Sequence, residues 1–193
     1  MVSLQKGQKV RLEKQGGGRL ANVRMGLGWD PIKKKGFFGG MKEMSVDLDA
    51  TALLYDGNNN RVDVVYFGQL KSKDGALRHT GDNRTGQGDG DDESILVALD
   101  QVSPSVQQIV FIVNSYGGHT FDMIENATCR AVDSDARDAE LCRFELSGGQ
   151  RIQAMVMAKL SRDGDGWTFT AIGAPVTQGR RIEQVEPAAR ACL

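Results

Sequence analysis

Imidazole is almost absent from this chain: His79 and His119 are the only histidines among its 193 residues. A catalytic triad or a multi-histidine metal site would have to use nearly all of them, so neither chemistry is expected. Cysteine is scarce too. Cys129, Cys142 and Cys192 are odd in number, widely spaced and without a CxxC pair, which signals neither a disulfide framework nor a zinc site. Cys129 and Cys142 read as small buried side chains. Only four prolines stand against 24 glycines, a balance that suits tight turns between short strands better than an extended linker. The N-terminal stretch has no apolar h-region, and no run of apolar residues is long enough to span a bilayer, so a cytoplasmic location is expected. The formal net charge of −1 gives no basic excess for nucleic acid.

What the chain does have is short apolar or alternating segments recurring roughly every ten residues, the signature of a β-sandwich. Strands are expected at 8–13, 20–27, 44–54, 61–67, 95–99, 109–113, 121–124, 128–132, 140–146, 153–160 and 167–172. Residues 28–40, with Lys33, Lys34 and Lys35, read as a long loop, and Ser103-Pro104 as the start of one short turn or helix over 104–108. RDGDG at 162–166 reads as a plain hairpin turn rather than a cation site, and the tail from Arg180 as a short helix interrupted by Pro187. The expected fold is therefore all-β, a single β-sandwich domain over residues 1–193 with short helical turns and a short C-terminal helix.

The most informative stretch is GDNRTGQGDGDDES at 81–94, which holds Asp82, Asp89, Asp91, Asp92 and Glu93 against one cation, Arg84. Two like unit charges about 6 Å apart in water repel by roughly 0.7 kcal/mol, so five carboxylates ordered in one loop would repel by several kcal/mol before screening. A solvated acidic linker and a cation-filled loop are the two solutions. A strand following directly at Ile95 argues against a free linker. A second acidic pair stands in MSVDLDATALL at 44–54. There Met44, Val46, Leu48 and Ala50 would face one way and Ser45, Asp47, Asp49 and Thr51 the other, with Asp47 and Asp49 about 7 Å apart.

An EF-hand fails in either register: counting from Asp82 the sixth residue is Gln87, and from Asp89 it is Ser94, where glycine is required. No lysine follows the glycines, which removes a phosphate-binding P-loop. The G-x-G-x-D pattern of calcium β-helices occurs once, without the tandem repeats that architecture needs. What remains is a hard divalent cation, with calcium favoured over magnesium because it takes six to eight oxygens in forgiving geometry. The number of carboxylates calls for more than one ion.

The same residues resemble the tellurium-resistance TerD family. The likeness rests on GDNRTGQGDGDDESI at 81–95 and VDLDA at 46–50. It extends to SLQKGQKVRL near the start, GLGWD at 26–30, the IVFIV strand, residues 126–132, ELCRFEL, and the hairpin ending in GDGWTFTAIG. The stretches 32–40 and after 179 fit that pattern less well. The resemblance implies a single calcium-binding β-sandwich of the bacterial tellurite and stress response. It points to Asp82, Asn83, Asp89, Asp91, Asp92 and Glu93 in the loop as metal ligands, with Asp47, Asp49 and Asp30. Many candidate ligands with no evident nucleophile or base point to a non-catalytic module that couples ion binding to assembly with other stress-response proteins or with a membrane-associated complex at the inner face of the membrane. Two other functions stay open at this stage. One is a divalent-metal-dependent phosphoesterase-like hydrolase with His79 or Glu93 as general base; the other is calcium-bridged binding of a phospho-ligand or anionic lipid, assisted by Lys33, Lys34 and Lys35.

Overall fold

A computed structural model describes residues 2–30, 32–35, 41–44, 47–81, 91–145, 151–177 and 179–193, with 32–35, 41–44 and 125–126 as backbone alone. Two six-stranded sheets make a sandwich. The first contains β1 (Val2–Ser3), β3 (Asn22–Asp30), β8 (Leu77–His79), β9 (Glu93–Ala98), β11 (Glu125–Asp133) and β12 (Ala139–Glu145), in the order β1-β12-β11-β3-β9-β8. The second contains β2 (Lys9–Arg11), β6 (Leu48–Asp56), β7 (Arg61–Val65), β10 (Val106–Ser115), β13 (Ala154–Asp163) and β14 (Gly166–Val176), in the order β2-β14-β13-β10-β6-β7. A separate hairpin joins β4 (Ile32–Lys35) to β5 (Met41–Met44).

Period-two burial builds the core. Along β9, Ile95 and Val97 turn inward, as Leu27 does on β3 and Ala131 on β11. From the other sheet Leu48, Ala52, Ile109, Phe111 and Phe169 join them in one cluster. The central strands of the second sheet are apolar on both faces, because their outer face is covered as well. Leu53, Tyr55, Val110, Ile112, Ala154 and Val156 pack beneath helix α1 (Ile182–Arg190) through Val185 and Ala189. That second layer is why β6 and β10 read as near-continuous hydrophobic runs.

Several expectations need correction. Residues 28–30 continue β3, and 32–35 pair with 41–44 as a hairpin, where a long loop is expected from the lysines and glycines. Of the turn or helix expected from Pro104, a single turn forms, closed by the Val106 N–H on the Ser103 carbonyl at 2.9 Å. Val106 enters β10 directly, its β-branched side chain buried in the core, and tertiary burial overrides the helix-start signal. Residues 121–124 hold a single 3-10 turn, Phe121–Met123, instead of a strand. Pro187 does not interrupt α1: it lies on the exposed side, and so does Glu183, whose carbonyl loses its helical donor. The turn at 163–166 is a hairpin turn, with Asp163 opposite Gly166 and Gly164 at φ +62, and both aspartates pair with Arg11. Among the described residues no helix is long and apolar enough to cross a membrane.

Val185→Ala removes two methyl groups from the seal between α1 and the sheet. We expect a loss of about 2 kcal/mol in urea unfolding at unchanged m-value.

Candidate functional site

The strand directions gather the acidic residues at one end of the sandwich. β3 ends at Asp30 opposite Glu125 of β11, β9 begins at Glu93 opposite Leu27, and β6 begins at Leu48 opposite Ser115, the last residue of β10. Asp30, Asp47, Asp49, Asp91, Asp92 and Glu93 therefore belong to the same end. Asp82, Asn83 and Asp89, the other predicted ligands, lie outside the described residues. Asp47 lies one residue ahead of the start of β6, and Asp49 is its second residue. Asp49 itself is 3 % exposed and sits across from Asn114 on the outer face of the second sheet.

The three acids that close the signature do three different things. Asp91 lies over the outer face of the first sheet, its side chain 4 % exposed, between two guanidinium groups. Arg24 pairs with its Oδ2, and Nε of Arg130 donates to its Oδ1 at 2.6 Å. Gly26 makes room for it: a Cβ at that position would run into the Asp91 carboxylate. The pairing extends sideways from Arg24 to Asp138 at 2.9 Å and from Arg130 to Glu140. Hydrogen bonds from Arg143 above all, then its charge and Arg130, hold the Glu140 carboxyl below the usual range despite desolvation.

Asp92 prolongs the ladder past the start of β9. Its N–H donates to the Leu27 carbonyl at 2.9 Å, and its Oδ2 accepts from the Trp29 N–H at 2.9 Å. Glu93 points the opposite way from Asp91, into the interior with Ile95 and Val97, and its side chain is fully buried. Its Oε2 accepts the Ala50 N–H of the facing sheet at 2.8 Å, just beyond the last pairing of β6 with β7 at Ala52 and Val65. The same oxygen stands 3.3 Å from Nε2 of His79, which is equally buried. His79 Nδ1 accepts from the Gly81 N–H at 3.1 Å, which leaves Nε2 as the ring nitrogen that faces Glu93. Glu93 thus ties β9 to β6 and β8, a role that treating it as a loop ligand did not foresee. Its parity with Ile95 and Val97 is the signal in the sequence.

The acidic side chains at this end carry carboxylate oxygens, the donors that hard cations prefer; His79 is turned to Glu93, and His119 stands beside Gly117 near Asp47. Among the described residues, no group of three or more His, Cys, Asp or Glu side chains is placed to hold a metal ion. Asp91 and Glu93 are engaged with arginines, backbone and His79. Asp92 is engaged as well, with the Trp29 N–H.

The sequence profile of the TerD domain matches residues 1–184. The chain belongs to the TerD family. It is 42 % identical to the tellurium resistance protein TerZ of Serratia marcescens over 187 residues, covering 96 % of this chain and 95 % of that protein. It is 36 % identical to the stress response protein SCP2 of Bacillus subtilis, covering 95 % and 96 % respectively. A crystal structure of a telluride resistance protein (TerD) homologue from Streptomyces coelicolor matches with a TM-score of 0.64 and 25 % identity, over 82 % of this chain and 92 % of that one. Tellurium and stress resistance is therefore the setting of this TerD-family protein.

The cysteines of this TerD-family chain are free thiols. Burial pushes Cys129 and Cys142 up to about 12, and Cys192 is raised by its partial burial. We expect a thiol reagent at pH 8 to label Cys192 first and to reach the other two at the rate of unfolding. The unfolded thiols ionise near 9 while the folded pair stays protonated to about 12, so the pair's contribution to stability falls as pH rises through that window. Gly26→Ala displaces Asp91 from between its arginines. A loss of about 3 kcal/mol in urea unfolding is expected, the scale of a broken, largely buried ion pair.

Proposed function

We propose that this protein is a non-catalytic calcium-binding module of the bacterial tellurite and stress response, whose ion binding governs assembly with other stress-response proteins in the cytoplasm or at a membrane-associated complex. One observation carries the reading. The fold delivers Asp30, Asp47, Asp49 and Asp92 to a single end, where the acidic signature also leaves the first sheet, and Asp49 is held there almost wholly out of water. Several carboxylates at one end of a fold favour a dication that supplies compensating charge. Asp82, Asn83 and Asp89 of the signature would complete the oxygen set, and the count of acids suits more than one ion.

The anchoring of Asp91 and Glu93 supports a binding role over hydrolysis. A general base must reach the proton it abstracts. Glu93 and His79 are both fully buried and face each other, with Glu93 also bound to the Ala50 N–H. Their arrangement suits a cross-tie that fixes where the acidic segment leaves the sheet.

Titration calorimetry with calcium, magnesium as competitor, tests the reading. Saturable heat is expected, with thermal stabilisation growing as calcium rises; at one hundred times the dissociation constant it amounts to about 2.7 kcal/mol. Asp49→Asn and Asp92→Asn each weaken binding about tenfold or more by removing a charged oxygen ligand. Absence of both the heat and the stabilisation would overturn the proposal.

A further inference from the structure

Four large apolar side chains among the described residues are exposed, and two of them, Phe67 and Tyr116, meet in one region. Phe67 lies between Tyr66 and Tyr116 in an edge-to-face chain, with ring centroids 5.2 and 5.7 Å apart. Phe67 is 41 % and Tyr116 55 % exposed. These rings line a groove of about 180 Å³ between the outer face of the second sheet and the start of α1. Arg180 and Arg181 stand on its other side, beside Glu183. A monomer that clusters exposed aromatic surface is marking an interaction site.

The arginines are placed, not trailing. Gln184 Oε1 accepts the backbone N–H groups of both, at 3.0 and 3.1 Å, which fixes the turn they occupy. The Arg180 guanidinium packs on Gly118, whose φ of +79 turns the chain there and whose missing Cβ would occupy the guanidinium's space. No ion pair satisfies either guanidinium among the described residues, whereas Arg11, Arg24, Arg61, Arg130, Arg143 and Arg190 are all paired. Two guanidiniums against the one carboxylate of Glu183 leave the rim positive. The groove also adjoins the acidic end: Asn114, which lines it, is the cross-strand partner of Asp49.

We infer that this groove docks an acidic peptide segment of a partner protein. The segment's carboxylates meet Arg180 and Arg181, and one apolar side chain inserts among Tyr66, Phe67 and Tyr116. The volume suits one or two side chains and is small for a cofactor. Planar guanidiniums recognise carboxylates through paired hydrogen bonds, while the rings supply rigid apolar area. The inference rests on the assembly half of the proposed function and names the surface that carries it; the ion ligands are different residues.

The test titrates a fluorescein-labelled peptide, Asp-Glu-Asp-Phe-Asp-Glu, with the full chain in calcium and reads fluorescence anisotropy. A peptide with lysine at every acidic position is run in parallel. Saturable binding of the acidic peptide is expected. It should weaken about tenfold or more in the double variant Arg180→Glu/Arg181→Glu and in Phe67→Ser/Tyr116→Ser, with the lysine peptide unbound. No saturable binding, equal binding of the lysine peptide, or indifference to both double variants would overturn the inference. So would sedimentation with phosphatidylserine vesicles that depends on the same four residues while the peptide does not bind. All four side chains are exposed, and calorimetry with calcium on each variant reports that the fold and the ion site survive. Calcium binding without peptide binding removes the docking groove alone; peptide binding without calcium heat removes the ion reading alone.

Discussion

A single carboxylate, that of Glu93, holds the acidic end of this sandwich together. It leaves the first sheet, crosses the interior and accepts a backbone N–H from the second, while His79 closes on the same oxygen. A buried carboxylate is costly unless its lone pairs are satisfied, and here the facing sheet donates the Ala50 N–H. The cross-tie sets the spacing between the place where the acidic segment leaves β9 and the place where Asp49 enters β6. Any function that needs those groups together depends on it.

Asp91 completes the anchoring from the other side of the same sheet. Residues two apart share a face, so Asp91 and Glu93 would point the same way if β9 ran straight through both; the strand begins only at Glu93, and Asp91 folds back over Gly26. One acid grips the outer face by charge and the other the inner face by hydrogen bonding. Between them, Asp92 continues the ladder to Leu27 and Trp29. Residues 91–93 are thus each held by a different partner, and little ordering entropy remains to be lost there.

The same end of the molecule meets a second, chemically opposite surface. β6 and β10 bring Asp49 and Asn114 side by side, and from Asn114 onward the groove passes to aromatic rings and two arginines. Helix α1 makes that contrast. By covering Leu53, Val110 and Ile112 it lets the second sheet be apolar on both faces, and its first turn sets the arginines at the groove rim.

Much of this was legible from residues alone. Alternation at Ile95, Val97 and Leu99, the IVFIV run and the DG turn specify strands through period-two burial and turn chemistry, and the acidic signature is dense enough to identify the family. Cys129 and Cys142 read as buried, and they are. Other features required the fold. The pairing of 32–35 with 41–44, the strand that begins at Val106 directly after the turn at Pro104, and the passage of α1 through Pro187 each reverse a local preference through longer-range contacts. The division of labour within Asp91, Asp92 and Glu93 was equally hidden, since it depends on Arg24, Ala50, His79 and Arg130, all remote in sequence. Charge density and alternation are local properties that a sequence states by itself. Which carboxylate meets an arginine, a backbone N–H or open space is decided only when sheets pack, because burial and pairing belong to the neighbours that the tertiary structure supplies.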